Sequence, residues 1–414
     1  MNILFYQWNA YNLYDIRLTF EQMGHMVTML SKPMENPEED THYTEELIAH
    51  LKETHYDFLF SINYFPVLAE ACHDSGIHYV CWNCDSPLLA LYHESVFYPT
   101  NIIFTFDRSN LEEMRTLGVT NIFYLPLAVN TERLAKQINF ADTPKYPVSF
   151  VGSLYEKNSY DNIADKLPAY LCGYLEGAMN AQNLISGGNL LEKLLTDDIC
   201  LMLEELMEYH QSERSFASVR NLFASTVLGF KAASIERHRN LNRLSLTLQS
   251  VFSKITVQNN PEAINRQLTG LSNSSSLVHL FTNSLTADLP FVTIHEPVDY
   301  LTEMPQIFNK SQINLNMTIP NIKTGIPLRV WDILGSGGFA LSNYQPEFDE
   351  YFKAGETLDI FEDEEELIDK TVFYLTHDSL RQKIAKQGLE LVTKEHNYKV
   401  RLTKLMEIIN AFLS

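Results

Sequence analysis

Short apolar runs alternate with amphipathic stretches from the first residues onward, and that alternation restricts the chain to parallel sheets covered on both faces. Residues 2–8 (NILFYQW) read as a buried strand. A helical face of Leu13, Ile16, Phe20 and Met23 follows, and 26–30 (MVTML) resumes as strand. The pattern recurs at 57–62 and 78–84 around a helix through Val67 and Ala71. It recurs again at 102–106 and 121–127 around a helix that ends at Gly118. A new strand signal opens at 147–153 (PVSFVGS). From about 160 to 260 helical spacing takes over, first in Leu191, Leu194, Leu195, Ile199, Met202, Leu206 and Tyr209, then in Ile235, His238, Leu241 and Leu248. Strands return at 277–281, 312–316, 339–342 and 358–361, and the last ~35 residues keep helical spacing. At 414 residues the chain exceeds one ordinary core. The expectation is two doubly wound α/β domains, 1–140 and 141–414, with a helical insertion at about 160–260 of the second. The SNSSS run at 272–276 reads as a turn, and the last helix is free to pack back on the first domain.

Two such domains bring two sets of strand carboxyl ends together, and the cleft between them is the expected ligand site. The formal charge of -21 argues against a nucleic-acid or anionic-membrane binder, but leaves room for an anionic small molecule held by a few local cations. The N-terminus lacks the basic and apolar regions of a signal peptide, and no apolar run reaches membrane-span length. With an odd count of five cysteines, this predicts a cytoplasmic protein with reduced thiols.

The segment GIPLRVWDILGSGGFALSN (325–343) concentrates the chemistry. Pro327 suits a first helical turn, and the glycines at 335, 337 and 338 end the helix before a strand. Amides at such a helix start suit a diphosphate. Arg329 can add a bidentate phosphate contact, and Asp332, one turn on, can accept from a ribose diol. The glycines would let the next strand approach the ligand closely. The plain alternative is a surface ion pair followed by a helix cap.

INLNMTIPNIKTGIPLRVWDILGSGGFALSN, with FKAGETLDIFEDEEELIDK and HNYKVR after it, resembles the donor-binding region of bacterial CgeB-like (spore-maturation-type) GT-B glycosyltransferases. VCWNCDSP, IIFTFDRSN, NIFYLPLAVN and VSFVGSLY extend the resemblance over nearly the whole chain, least specifically in the helical middle. It implies two Rossmann-like domains and transfer of a sugar from a nucleotide-diphosphate donor, UDP above all, to an acceptor. By the family's Glu-x7-Glu pattern, Asp332 takes the ribose position. Thr324 departs from the pattern at the first, where a carboxylate would meet the transferred sugar. Gly152 and Ser153, with Lys157 close by, would approach the diphosphate. Lys323, Gly325 and Arg329 complete the donor set, and Thr282 and Asn283 would contact the nucleobase by fold analogy. No cofactor and no metal are expected, the nucleotide sugar being a substrate and a DxD motif being absent from a suitable loop.

An inverting transfer needs a base for the acceptor hydroxyl from the other domain. Asp85 and Asp107, each at the end of a strand, are the candidates, ahead of His93 and Asp15. Capping the next turn or helix is the plain alternative for both aspartates. Trp8, Tyr11 and Tyr14 could stack on an acceptor sugar or serve as core-edge aromatics. Cys81 and Cys84 form a CxxC that reads as packing thiols inside a strand. Arg237, Arg239 and Arg243 read as a solvated helix face rather than an anion site. The EDEEE run (362–366) reads as helix-start charge. A nucleotide-sugar-binding protein without turnover and a nucleotide-sugar epimerase remain open on the same scaffold.

Overall fold

The computed structural model describes residues 1–208, 212–258, 276–284 and 288–413. Tyr209 and all but Ser276 of the expected 272–276 turn lie outside them. Among these residues, twelve strands form two six-stranded parallel sheets. The first contains β1 (Asn2–Tyr6), β2 (Met26–Leu30), β3 (Phe58–Ile62), β4 (His78–Asn83), β5 (Asn101–Thr105) and β6 (Ile122–Tyr124), in the order β2-β1-β3-β4-β5-β6. The second contains β7 (Tyr146–Val151), β8 (Val278–Phe281), β9 (Val292–His295), β10 (Ser311–Asn316), β11 (Ala340–Asn343) and β12 (Asp359–Phe361), in the order β12-β11-β10-β7-β8-β9.

The strands the alternation predicts are all present, because both faces of each central strand are buried. β3 and β5 have no exposed residue, whereas edge strand β2 is half-exposed. In each sheet the order reverses once, between β1 and β3 and between β7 and β10. Such reversals open a crevice at the carboxyl ends of the strands. Between β7 and β8 the chain makes helices, among them Ala169–Gln182, Asp197–Met207 and the long Leu228–Gln258. They form an apolar cluster of their own around Leu171, Leu175, Leu203, Phe223 and Leu228.

A larger apolar cluster joins the sheets. It runs from Phe60 and Phe104 through Val129 and Leu134 to Val330, Trp331 and Leu334, and on to Leu402 and Ile409. The final helix, Tyr398–Leu413, lies against the first sheet, with the Phe412 ring 5.8 Å from Phe123 and Tyr398 6.1 Å from Trp82. Of the glycines after Arg329, Gly335 and Gly337 pack against residues of the first half, and Gly338 against Asn314 and Phe308. A Cβ on Gly335 would stand 2.5 Å from Val129 Cγ2, and Gly337 has φ +72°.

The smaller local readings follow ordinary physics. Asp363 caps helix Glu364–Thr376 by accepting from the Glu366 amide at 2.8 Å. All five cysteines are free thiols, and burial pushes the Cys84 thiol up to about 12. No helix among the described residues is long and apolar enough to cross a membrane.

Candidate active site

The carboxyl ends of β7, β8 and β10 surround a cavity of about 430 Å³ above the β7/β10 reversal. Gly152 and Ser153 leave β7, Thr282 and Asn283 leave β8, and Met317 and Thr318 leave β10. Pro327 and Arg329 reach the cavity from the start of helix Leu328–Gly335. From the first half of the chain, Tyr11 and Asp85 complete the wall. Seven of the sequence candidates therefore meet here: Tyr11, Asp85, Gly152, Ser153, Thr282, Asn283 and Arg329.

Arg237, set aside above as part of a solvated face, also lines this cavity and is only 8% exposed. Its Nη1 donates to the Ser153 carbonyl at 2.6 Å and its Nη2 donates to the Met317 carbonyl. These bonds tie the long helix to the ends of β7 and β10. The guanidinium lies 4.9 Å from the Tyr155 ring centroid, and its Nε has no hydrogen-bond partner among the described residues. Burial lowers its pKa from the ordinary arginine value, and the neighbouring Arg329 charge adds to that. Arg329 lies over the Phe308 ring at 5.6 Å and donates to Met304 Sδ. Neither cation makes an ion pair among the described residues; Glu236 acts on Arg237, and Asp332 on Arg329, only at a distance. Arg239 and Arg243 instead reach Glu364, at 4.0 and 2.5 Å.

Asp85 follows β4, and its Oδ2 accepts from Asn63 Nδ2 at 2.6 Å. Asn63 Oδ1 accepts in turn from the Cys84 amide at 2.8 Å. Asn63 has φ +63°, a region that asparagine tolerates better than most residues. Burial pushes the Asp85 carboxyl above its ordinary value, while the Asn63 bond partly offsets this. Nothing in the apolar patterning singles out Asn63.

Several expected donor residues stand apart from the cavity, at the contact between the two halves. Asp107 caps helix Arg108–Thr116 through the Ser109 amide at 3.0 Å, and accepts from Ser86 Oγ at 3.0 Å. It also accepts from the Lys323 amide at 3.0 Å and from Thr324 Oγ1 at 2.7 Å. Glu347 accepts from the Arg108 amide at 2.9 Å and from Tyr124 at 2.6 Å. Lys323 Nζ is held by Glu192 and Glu113 at 2.7 and 3.3 Å. A Cβ on Gly325 would meet the Phe106 carbonyl oxygen at 3.0 Å. Lys323, Thr324 and Gly325 are thus parts of a fastening between the halves, and Asp107 is its acceptor. Asp107→Ala would leave two amides and two hydroxyls without their buried acceptor, at about 1–3 kcal/mol for each donor that finds no other. A loss of at least ~3 kcal/mol in urea unfolding is expected; a change under ~0.5 kcal/mol would refute the fastening.

Asp332 also lies outside the cavity. It accepts from Tyr300 at 3.1 Å, and it is Tyr300 that reaches the cavity wall. Burial pushes the Asp332 carboxyl up to about 7, with Arg329 opposing. Asp15 is committed to Arg133, at 2.7 Å, and His93 Nδ1 faces Ser95 Oγ at 2.8 Å. Trp8 donates to the Ile62 carbonyl at 2.7 Å as a packed core-edge residue, and Tyr14 is exposed away from the cavity. Tyr11 leans on Tyr300 with ring centroids 5.3 Å apart. Lys157 lines a neighbouring hollow with Glu156 and Ser284.

Residues 278–407 match a family model described as glycosyl transferase-like. No protein of curated function matches the sequence. Among solved structures, an alpha-glucosyltransferase in complex with UDP and a 13-mer DNA containing a HMU base is similar at 11% identity and TM-score 0.51, covering 99% of both chains. Sucrose-phosphate synthase from Thermosynechococcus elongatus is similar at 10% identity and TM-score 0.51, over 100% of this chain and 99% of that one. A glycosyltransferase from Rickettsia africae ESF-5 is similar at 9% identity and TM-score 0.50, over 100% and 98%. At such identities the likeness is one of architecture. Two parallel six-stranded sheets meeting over a cleft, with the glycosyl transferase-like match on the second, give this chain the fold of the GT-B glycosyltransferases.

Proposed function

We propose that this protein is a CgeB-like glycosyltransferase that moves a sugar from a UDP-linked donor to an acceptor hydroxyl without a metal. One observation carries the reading: Arg237 and Arg329, neither of them ion-paired, enter a single cavity at the strand-order reversal, and Asp85 reaches it from the other half. Two cations without an ion-paired carboxylate favour an anionic ligand, and a diphosphate would accept from Arg329 and from the hydrogens that Arg237 does not give to the Ser153 and Met317 carbonyls. Thr282 and Asn283, at the end of β8, line the same cavity and would contact the nucleobase. UDP, the nucleotide named in the alpha-glucosyltransferase complex, is the first to try.

In the transfer, the acceptor oxygen bonds to C1 of the sugar as the bond from C1 to the diphosphate oxygen breaks. The acceptor proton passes to the Asp85 carboxylate. The leaving nucleoside diphosphate keeps the bonding electron pair, and Arg237 and Arg329 stabilise the charge that develops on it. Both arginines are held by the fold before reaction, so little reorganisation is needed at the transition state.

Thermal unfolding with nucleoside diphosphates tests the reading. UDP at about 100 times its dissociation constant should stabilise the fold by about 2.7 kcal/mol. EDTA should leave both this shift and turnover unchanged. Silence towards every nucleoside diphosphate would overturn the proposal, and loss of turnover in EDTA would overturn its metal-free part. Turnover with added acceptor separates a transferase from a binding protein without chemistry, and from an epimerase that releases an altered nucleotide sugar alone.

A further inference from the structure

Beside the large cavity lies a small hollow of about 10 Å³, room for one water-sized group. The two share Thr318, Ile319 and Ile322. The hollow is polar, and its far wall comes from the helices between β7 and β8. Three of its side chains have oxygens with no partner among the described residues. Gln345 is 2% exposed and its buried Oε1 accepts no hydrogen bond. Asn183 Oδ1 is also buried and unpartnered, while its amide nitrogen donates to the Ala232 carbonyl at 3.0 Å. Glu236 is only partly buried; its carboxyl makes no hydrogen bond or ion pair among the described residues, and the Arg237 and Arg239 charges reach it only at a distance. Gln182 and Asn343, by contrast, are already bonded to backbone, so they shape the wall and leave recognition to the other three.

Unpaired buried acceptors are costly, and a group that can donate to them relieves the cost. The size admits one hydroxyl. A carboxylate has no proton to give Gln345 Oε1 or Asn183 Oδ1, and an acetamido group is too large. Burial pushes the Glu236 carboxyl up to about 7, so near neutral pH it can also hold a proton and donate. A sugar hydroxyl would then accept from Glu236 and donate to Gln345 Oε1.

We propose that this hollow is a subsite for one unsubstituted hydroxyl of the transferred sugar, and that Glu236 and Gln345 set the preference for a neutral hexosyl donor. The inference rests on the proposed function and adds the sugar class to it. Calorimetry on the full chain with UDP, UDP-glucose, UDP-galactose and UDP-glucuronate provides the test. The wild type should bind one of the two neutral nucleotide sugars at least tenfold more tightly than UDP, and UDP-glucuronate no more tightly than UDP. Glu236→Ala and, separately, Gln345→Ala should abolish that tenfold gain and leave the UDP dissociation constant within twofold. Equal losses for UDP and the nucleotide sugar would mean a structural role only and would overturn the inference, as would tight binding of UDP-glucuronate. A protein that binds no UDP would overturn the proposed function together with this subsite.

Discussion

Asp85→Asn is expected to lower turnover with a saturating acceptor by about 10²–10⁴-fold, the usual worth of a positioned base. Nucleotide binding should be unchanged, because Asp85 comes from the half of the molecule opposite the arginines. The amide is nearly isosteric and still neighbours Asn63, so the fold should persist. The pH profile sharpens the test. Burial raises the Asp85 pKa, and the carboxyl works as a base only when ionised. Activity should therefore fall as pH drops through a value above the ordinary carboxylate range of about 4. That acid limb should vanish in the asparagine variant. A variant with near-normal turnover and an unchanged profile would remove Asp85 from the chemistry.

Arg237→Ala is expected to weaken UDP binding by roughly 10–150-fold, the equivalent of about 1.5–3 kcal/mol for a charged hydrogen-bonded contact. It should also lower stability, since the Ser153 and Met317 carbonyls lose their donor. Arg237→Lys separates the effects. It keeps the charge but loses the planar fork, so part of the affinity should return while the bridge between the two carbonyls does not. Titration with UDP at two salt concentrations gives a further check, because a buried contact is less sensitive to screening than a surface one. Unchanged UDP affinity in the alanine variant would leave Arg237 as a structural brace alone.

Most strands were legible because a sheet buried on both faces needs continuous apolar runs, and this chain supplies them. β9 was missed. It is a four-residue edge strand, partly exposed, and FVTIHEP carries too short a signal. Helix Thr41–Glu53 was passed over too, only Tyr43, Leu47 and Leu51 of it being buried. In the site, strand ends were the better guide. Gly152, Ser153, Thr282, Asn283 and Asp85 were placed by where their strands stop. Lys323, Thr324 and Gly325, though near Arg329 in sequence, stand apart from the cavity, because that loop reaches Asp107 and Phe106 before the helix begins.

Arg237 was discounted by grouping it with Arg239 and Arg243, yet residues two and six apart do not share a helix face. Read with its own row, Arg237 stands one turn before Leu241, Leu244 and Leu248, all fully buried. A charged residue continuing a buried apolar row was the available sign. Asp332 stands behind the cavity wall for a different reason. It is placed by Tyr300, and that contact lies 32 residues away in sequence, beyond any local pattern.

Tyr11 is 72% exposed and Arg237 8%, so the cavity has a mouth and a floor. Under the proposed function this dictates a schedule. Whatever engages the floor must pass the mouth while it is clear, and whatever occupies the mouth shuts the earlier arrival in. The activated sugar enters first, the molecule to be decorated closes over it, and the spent nucleotide departs last.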